Sequence, residues 1–516
     1  MASSLFLALH AEAGVVSRVA IHPDANDVTA AATASSRSRV VAALGTAAVP
    51  QRVHFLVSDA PNGASADMGV ARWTHDGAFA LPAGAGAVRS AAVSSGARHP
   101  TETYFALGTD QSPGVVVPAG ALVGDPVVLE QGEDVLAAAV ASEVSSFSPN
   151  ADASANATAA APCFVFATWT SPSRLVRVEV DENTRTLRRA AGKTLPLGVN
   201  RVRAAVADPR RFQKTDGSTP RRVAHFVSDT SPSALVTVRV DDLAIVDALV
   251  FPLAMNGSRV RRGAIIEETS LGSGASVSYW VTKPAADGDP IGSTLFRVKH
   301  GSADIAGGAV ITDAYAFETH ERDVAAVSVE RTKKLFPSSA FGSDEATVLY
   351  VAFDAVAGND GDVEGTKTDA LHSCAVVALA ERRDKRTGAF SGFERIATVS
   401  IPNARALTPV RVADGVATYA TRGSPAELVE VDFFSNGLTE TNARGEVFAN
   451  SGPDVPSHDP FQDSEILCVA FLNATHFGAT VLFAGGRVGA GGRRLLAAAL
   501  AARGAAEGET WKARAC

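Results

Sequence analysis

The sequence is poor in cysteine, aromatic residues and long apolar runs. Only 4 of its 516 residues are cysteine, and aromatic side chains make up 6%. No apolar run approaches the roughly 20 residues that a membrane-spanning helix requires, so no membrane span is predicted. The cysteines are far apart and form no Cys-x-x-Cys pair, which gives a zinc site no support. Buried free thiols are expected at Cys163, Cys374 and Cys468, and a disulfide between neighbouring repeats stays open.

The motifs of several enzyme classes are also missing. There is no Gly-x-Ser-x-Gly elbow, no His-Glu-x-x-His pair and no Gly-Lys-Ser/Thr ending on the glycine-rich stretch 485–494. That stretch is expected to connect two strands. The net charge is −8, and the densest basic region, 185–211, is expected to be a solvated strand face. Without a concentrated basic face, no nucleic-acid partner is predicted.

What the sequence does have is a repeated pair of strand patterns. In 164–180 an apolar run, Phe164 to Thr168, is followed by a Ser-Pro turn and then by Leu175 to Val180, where apolar and charged residues alternate. Alternation with a period of two is typical of a strand with one buried face. Because Pro172 fixes φ for a turn, the pattern predicts a hairpin. Copies of the pattern occupy 104–117, 225–240 and 419–431.

Strands rich in small residues precede these hairpins. The pattern is clear in 200–209, and related stretches recur at a spacing of about 50 to 70 residues, within the range of repeat architectures. Taking 38–44 as the earliest copy and 465–471 as the last, there are eight such strands. Their alanines suit the crowded inner strand around a propeller axis, and closing the ring removes exposed edges.

We therefore predict an all-β fold: a single β-propeller over 1–516 with four-stranded antiparallel blades, eight favoured and seven possible. The strand patterns of 5–10 and 15–21 have no inner strand before them. Either strands from both chain ends close the ring, or the chain is a piece of a longer array.

Four insertions interrupt the repeat. They occupy 146–161, 332–346, 358–368 and 452–463. Long loops on a rigid scaffold often carry function, so we expect specificity to lie there, where the copies differ.

One insertion resembles the start of a calcium loop. Asp360, Asp362 and Glu364 place carboxylates at alternate positions before a glycine. Leu371 stands where such a loop has its bidentate Glu, so the match is incomplete. Calcium is the one cofactor that the residues suggest, and a solvated acidic loop is the alternative; otherwise no cofactor is expected.

Three Asn-x-Ser/Thr triplets point weakly to a secreted or surface protein. They begin at Asn156, Asn256 and Asn473. The short apolar run in 4–10 lacks the basic segment of a signal peptide. An extracellular or cell-surface location is the expectation.

Two further residue sets recur with the repeat. A carboxylate follows several hairpin first strands, at Asp59, Asp110, Asp229 and Asp354. Turn capping is the expected role, and a ring of carboxylates around a site is the alternative. His54 and His225 fall at related positions of predicted hairpin first strands, which indicates repeat inheritance rather than a site.

The Ser-Pro hairpins resemble YncE-like and lactonase-like propeller repeats. The similarity is to the Thr-Ser-Pro-x-x-Leu/Val-Val-x-Val form of algal and protist surface or secreted proteins, and it rests on 170–178, 230–238, 112–117 and 424–431. This resemblance implies a propeller without a shared activity, since such repeats occur in binding modules, structural surface proteins and some lactone hydrolases.

Two functions follow as hypotheses. The first is a non-enzymatic scaffold that binds proteins or glycans of a surface assembly, which could be filamentous or flagellar. The second is a lactonase-like hydrolase with an axial site. Three or more Asp, Glu or His residues converging on the axis from different blades would favour the hydrolase, and a lining of Ala, Val and Ser would not.

Overall fold

The chain divides into two compact units, Met1–Phe434 and Ser435–Cys516. The computed structural model describes most of the first unit and three strands of the second. The described residues are 15–34, 40–58, 73–81, 84–95, 101–145, 160–210, 222–252, 259–268, 275–284, 292–301, 308–332, 346–354, 373–384, 386–402, 404, 406–413, 415–433, 464–474, 479–488 and 492–500.

The first unit consists of seven four-stranded antiparallel sheets. Blades 1 to 4 are β2–β5 (Val28–Thr33, Val40–Thr46, Arg52–Ser58, Trp73–Ala80), β6–β9 (Val88–Ser95, Thr103–Thr109, Val115–Gly120, Val127–Val128), β10–β13 (Leu136–Ser145, Ala160–Thr168, Arg174–Asp181, Thr186–Thr194) and β14–β17 (Val202–Ala207, Val223–Ser228, Ala234–Arg239, Ile245–Val250). Blades 5 to 7 are β18–β21 (Arg259–Glu267, Ser276–Lys283, Thr294–His300, Val310–Ala316), β22–β25 (Val324–Thr332, Ala346–Phe353, Ser373–Arg383, Phe390–Pro402) and β26–β28 (Leu407–Ala413, Val416–Thr421, Glu427–Asp432) with β1 (Val15–Ala20).

The blades form a closed ring. The first strand of each blade contacts the first strand of the next, and β26 of blade 7 contacts β2 of blade 1. Strand β1 pairs antiparallel with β28 and so supplies the outermost strand of blade 7. The predicted all-β propeller with four-stranded antiparallel blades is therefore confirmed, and the ring is closed by strands from both ends of the first unit.

The ring has seven blades rather than the favoured eight. Residues 38–44, predicted to be an inner strand, largely form β3, and the inner strand of that blade is Val28–Thr33. The pattern of small apolar residues is shared by both strands, so it does not distinguish them. The last predicted inner strand, 465–471, lies in the second unit. The extent of the propeller over all of 1–516 stays a prediction.

Each inner strand carries a β-bulge close to its start. In blades 1 to 6 the pairing with the second strand skips the second residue of the inner strand or, in blade 5, the third. In blade 7 the shift falls later, at Val410. A bulge leaves one residue unpaired and redirects its side chain, so a ring of unpaired residues surrounds the start of the inner strands. The skipped residues of blades 1 to 6 are Thr29, Arg89, Ala137, Arg203, Arg261 and Ala325.

In two of the Ser-Pro turns, the serine after the proline contacts the next blade. Ser173 is buried, donates a hydrogen bond to the carbonyl of Thr168 at 3.0 Å, and accepts one from the amide of Val202, the first residue of β14. Ser233 accepts the equivalent bond from Val260 N at 2.9 Å. The hairpin predicted in 164–180 is confirmed as β11 and β12, and its turn serine also fixes the position of the neighbouring blade.

Hydrophobic layers fill the space between blades. Between blades 3 and 4, for example, Val165 and Leu175 belong to the same buried cluster as Phe226 and Val236. Burying a side chain of this size contributes about 1.5–3 kcal/mol. The core therefore lies between the faces of adjacent blades, and it leaves the axis available for polar residues.

Two of the predicted free thiols belong to these layers. Cys163 and Cys374 are buried and carry no disulfide, as the sequence predicted. Cys163 packs in the layer between blades 3 and 4. Both cysteines therefore serve as small apolar side chains of the core.

The second unit contains one described three-stranded antiparallel sheet. Its strands are β29 (Ser464–Ala474), β30 (Ala479–Val488) and β31 (Gly492–Leu500). The stretch 485–494 joins β30 to β31 and pairs Arg487 with Arg493, so it connects two strands as predicted. Among the residues that the structure describes, no helix is long and apolar enough to cross a membrane.

Candidate anion-binding cavity on the propeller axis

Two adjoining cavities lie where the inner strands begin. A cavity of about 200 Å³ is lined by residues of six inner strands, and alanine, as at Ala30, Ala91 and Ala138, is the commonest of them. A larger cavity of about 370 Å³ shares Arg203 and Arg262 with it. The small side chains of the inner strands leave this space, and the bulges turn larger residues into it. The axis therefore offers a solvent-accessible chamber of the size that small ligands occupy.

Charged side chains from blades 4 to 7 surround the larger cavity. Five cations and two carboxylates line it, with one apolar residue: Arg203, Arg261, Arg262, Lys283, Arg422, Asp323, Asp354 and Val324. In the described lining the cations thus outnumber the carboxylates. This excess gives the cavity a positive potential and favours an anionic ligand.

Some of these charges neutralise one another. Arg261 pairs with Asp229 at 2.6 Å, and Lys283 pairs with Asp323. Once these pairs are set aside, three guanidinium groups face the single carboxylate of Asp354, which itself accepts a hydrogen bond from the amide of Leu407 at 3.0 Å. The three guanidinium groups belong to Arg203, Arg262 and Arg422.

The arginines lower one another's tendency to hold a proton. Burial, followed by the nearby positive charges of Arg203 and Arg422, lowers the pKa of Arg262 to about 10. Burial and the charge of Arg261 also lower the pKa of Arg203. Both groups are still cationic at neutral pH. An anion bound between these guanidinium groups would relieve their mutual repulsion.

Local contacts hold these guanidinium groups in place. Arg262 donates from Nε to the carbonyl of Ala325 in blade 6, at 2.7 Å. The guanidinium of Arg203 lies over the ring of Trp169, 4.8 Å from its centroid, which is within cation–π distance. The Nε of Arg422 is buried and has no hydrogen-bond partner among the described residues. The site is preorganised and retains unused donor capacity.

The recurring carboxylates lie at this end of the ring, but their contacts reach the inner strands rather than their own turns. Asp110 accepts a hydrogen bond from Ala87 N at 2.8 Å and pairs with Arg89, both at the start of its inner strand. Asp229 and Asp354 reach the next blade through Arg261 and Leu407. Turn capping was therefore wrong for these three. Asp59 lies outside the described residues.

The position after the second strand is structurally equivalent in most blades. Its amide donates to the carbonyl that precedes the inner strand, as in Asp110 N to Ala87 O, Trp169 N to Val135 O and Arg422 N to Ala406 O. The repeat fixes the backbone here while the side chain varies between carboxylate, indole and guanidinium. The sequence predicted this recurrence but not the cavity-lining role of the arginine that replaces the acid in blade 7.

Among the residues that the structure describes, none of the other predicted site residues lines the cavity. Asp360, Asp362 and Glu364 lie outside the described residues, as do Asn156 and Asn256. Asn473 lies in β29 of the second unit, where its backbone pairs with Thr480. The insertions 358–368 and 452–463 lie outside the described residues, as does most of 146–161 and 332–346, so the calcium, glycan and loop hypotheses stay predictions.

The basic region 185–211 is not one solvated face. Arg188 fits that expectation, since its side chain is 75% exposed beside Glu179. Arg210, however, is buried against Asp208, and Arg203 lines the axial cavity. The period of the strand assigns residues to faces, but it does not reveal that the bulge at Arg203 turns that side chain to the axis.

A second polar cluster, in blades 4 and 5, is sealed from solvent. Asp208 pairs with Arg210 at 2.7 Å and accepts a hydrogen bond from Ser276 at 2.7 Å. His225 lies 3.4 Å from Asp208 and stacks on His300 with ring centroids 4.0 Å apart. All five residues are buried. We refer to Asp208, Arg210, His225, Ser276 and His300 as the sealed network.

The two histidines compared in the sequence are not equivalent. His54 lies on β4, the third strand of blade 1, whereas His225 lies on β15, the second strand of blade 4. Repeat inheritance therefore does not explain them. His54 lies instead beside His22 and His75, which are distant in the sequence.

Comparisons with known proteins identify no family for the chain. No family model matches the sequence, and no curated protein matches it. Similar solved structures include Drosophila Semaphorin 2a, at 9% identity over 81% of this chain and 75% of that one, with a TM-score of 0.45. The BP39L lectin from Burkholderia pseudomallei is 14% identical over 77% of this chain and 94% of that one, with a TM-score of 0.42. A putative 6-phosphogluconolactonase from Bacteroides uniformis is 9% identical over 72% and 88%, with a TM-score of 0.38.

The class of the chain follows from its own strand pairing. Seven four-stranded antiparallel sheets in a closed ring define a seven-bladed β-propeller.

Proposed function

We propose that this protein is a non-enzymatic β-propeller scaffold whose axial cavity binds an anionic group of its partner. The observation that carries the proposal is the cation excess of Arg203, Arg262 and Arg422 over Asp354 in a chamber of about 370 Å³. Guanidinium groups bind carboxylate and sulfate oxygens through paired N–H donors. An acidic glycan is the partner class that we favour, because the chamber has room for one charged sugar unit rather than for a folded element.

The wider setting is a surface assembly. We place the protein in an extracellular or cell-surface structure, which includes filamentous and flagellar assemblies, and we expect it to be a glycoprotein. The support is the sequence: three glycosylation triplets, and hairpins that resemble the repeats of algal and protist surface or secreted proteins. The insertions at 146–161, 332–346, 358–368 and 452–463 would add contacts to the protein or glycan partner.

A lactonase-like activity has less support. Of the side chains described around the larger cavity, Asp323 and Asp354 are the acids. Asp323 is paired with Lys283, and Asp354 is hydrogen-bonded to a backbone amide. The described lining therefore supplies Asp354 as its one carboxylate without a cation partner, and no imidazole, which is fewer than the three or more converging acids or histidines expected of a hydrolase site. The arginines serve binding better than proton transfer.

The proposal is tested with defined oligosaccharides. Sulfated and uronate-containing tetrasaccharides, a neutral tetrasaccharide and a polyglutamate peptide are titrated into the protein by calorimetry at two salt concentrations. We expect the acidic glycans to bind and the neutral one not to bind, with an affinity that falls as salt rises.

Three outcomes would contradict the proposal. Preference for polyglutamate over every glycan would assign the cavity to an acidic protein segment. Equal binding of neutral and acidic glycans would remove the role of charge. Turnover of a lactone substrate that Asp354→Asn abolishes would establish the hydrolase instead.

A further inference from the structure

Three histidines from separate segments meet at the ring closure. His22 follows β1, the strand that completes blade 7, while His54 lies on β4 and His75 on β5 of blade 1. One ring nitrogen from each histidine lies within 4.8 Å of the corresponding nitrogens of the other two. His54 is buried, and the side chain of His22 is 39% exposed, so a small ion in solvent can reach the cluster.

The spacing of two of these nitrogens fits a tetrahedral metal. His54 Nδ1 and His75 Nε2 are 3.1 Å apart. With zinc–nitrogen bonds of about 2.0–2.1 Å, the edge of a tetrahedron is about 3.3–3.4 Å, so a metal bound between these atoms requires little movement. His22 stacks on His75 with ring centroids 4.4 Å apart and lies in the segment between β1 and β2.

The two ring nitrogens of His54 differ in their contacts. The His54 side chain is fully buried, and its Nε2 has no hydrogen-bond partner among the described residues, whereas its Nδ1 faces His75. The Nδ1 atom is therefore the one that lies where a metal would bind, and the proton of the neutral ring would then be on Nε2.

The Asp24 carboxylate lies near His22, the partly exposed histidine of the cluster. Asp24 Oδ2 lies 4.0 Å from His22 Nδ1, and the Asp24 amide donates to that nitrogen at 3.2 Å. When His22 binds a metal through Nε2, its proton is on Nδ1. The Asp24 amide can then no longer donate to that nitrogen, and the Asp24 carboxylate moves closer to accept from it. Metal-bound histidines commonly have such a carboxylate partner.

We propose that His22, His54 and His75 form a three-histidine site for Zn²⁺ or a similar divalent transition metal, with the fourth coordination position open to water. Because His22 follows β1 of blade 7 and the other two ligands belong to blade 1, the metal would link blades 7 and 1 where the ring closes. This site is separate from the axial cavity, and its test does not depend on the proposed function.

The test measures Zn²⁺ binding to the metal-free full chain by competition with a chromophoric chelator. We expect one ion per chain, and an affinity that His22→Ala or His75→Ala lowers by about 100-fold or more. Asp24→Asn should lower it by about tenfold. His320→Ala is the control, because His320 is 66% exposed elsewhere on the propeller and should leave binding unchanged. Zn²⁺ should also raise the melting temperature of the wild type more than that of His22→Ala.

Cobalt gives an independent readout. Co²⁺ in the wild-type chain should show the visible bands of a four-coordinate, nitrogen-ligated ion, and these should vanish in His22→Ala while the circular dichroism of the variant stays unchanged. The proposal is overturned if the wild type binds no Zn²⁺, if His22→Ala and His75→Ala bind it as tightly as His320→Ala does, or if the Co²⁺ spectrum is that of the hydrated ion.

Discussion

The sealed network and the axial cavity both place ionised groups in the interior of the ring, but they differ in how those groups are matched. In the sealed network Arg210 lies on Asp208, and His225 and Ser276 supply further contacts to the same carboxylate. In the axial cavity three guanidinium groups exceed the available carboxylates. The first region has a partner for its charge, and the second has charge without a partner.

This difference indicates a structural role for the sealed network and a ligand-binding role for the axial cavity. A buried carboxylate with several donors stabilises one packing of blades 4 and 5, and solvent has no access to it. Burial opposes the ionisation of Asp208, yet hydrogen bonds from His225 and Arg210 outweigh it and hold its pKa below the ordinary value. The axial arginines are instead partly exposed and repel one another, which costs stability that an anionic ligand can restore.

The largest expected effect is on the sealed network. Asp208→Ala leaves Arg210 and His225 buried without their acceptor, so it should lower the free energy of unfolding by about 3–5 kcal/mol. Urea denaturation measures the change. Asp242→Ala is the control, since that carboxylate pairs with Arg239 at the surface and should cost at most about 1 kcal/mol. Equal losses in the two variants would break the comparison.

The second effect is a loss of stability in acid. Burial and the neighbouring His225 lower the pKa of His300 to about 2, whereas the unfolded chain takes up this proton near 6.5. The contribution of neutral His300 to the free energy of unfolding is therefore complete above pH 6.5. It declines as the pH falls below that value, by about 3 kcal/mol at a pH of about 4.5.

A substitution isolates this titration. His300→Gln keeps a partner for Ser278 and cannot titrate, so the difference in unfolding free energy between neutral pH and a pH of about 4.5 should shrink relative to the wild type. The same pH dependence in both proteins would show that His300 does not carry it.

The third effect concerns ligand affinity rather than folding. Arg422→Gln removes one of the unmatched charges and should weaken binding of an acidic tetrasaccharide about tenfold, or about 1.4 kcal/mol. Its melting temperature should not fall, because the change relieves repulsion with Arg262. Arg188→Gln, a substitution of an exposed arginine, should bind as the wild type does. A variant with unchanged affinity and a lower melting temperature would make Arg422 structural.

The smallest effect lies in the Ser-Pro turn, where two neighbouring serines form a natural control pair. Ser173→Ala leaves the amide of Val202 without its acceptor and should cost about 1 kcal/mol. Ser171→Ala changes an exposed residue in the same turn and should cost less than about 0.5 kcal/mol. Matching losses in urea denaturation would contradict the link between turn and neighbouring blade.

Much of the fold could be predicted from the repeated hairpin. The alternation in Leu175 to Val180 and the Ser-Pro turn identify β11 and β12 because strand period and turn geometry are local properties. The number of blades depends instead on which small-residue strand is innermost. Val28–Thr33 and Val40–Thr46 look alike in sequence, and only the closed ring distinguishes them.

The sites were harder to predict because they depend on contacts between distant residues. Arg203 and Arg422 are far apart in the sequence and meet only when blades 4 and 7 surround the same axis. His22 joins His54 and His75 only because β1 closes blade 7.

The sequence does contain one sign of the cavity arginines, which is an arginine that recurs near the start of several inner strands. An arginine is the second residue of β6 and of β14, at Arg89 and Arg203, and Arg261 is the third residue of β18. The bulges that turn such residues toward the axis have no comparable signal, because they depend on how each inner strand pairs with its neighbour. The sequence therefore supplied the residue type at these positions without the direction of the side chain.

The most direct test of the central claim is a crystal structure of the protein with a sulfated disaccharide at saturating concentration. The account predicts sulfate oxygens about 2.7–3.0 Å from guanidinium nitrogens of Arg203 and Arg422, inside the axial cavity. A disaccharide bound only at exposed arginines such as Arg188, with the axial cavity holding no anion, would contradict it.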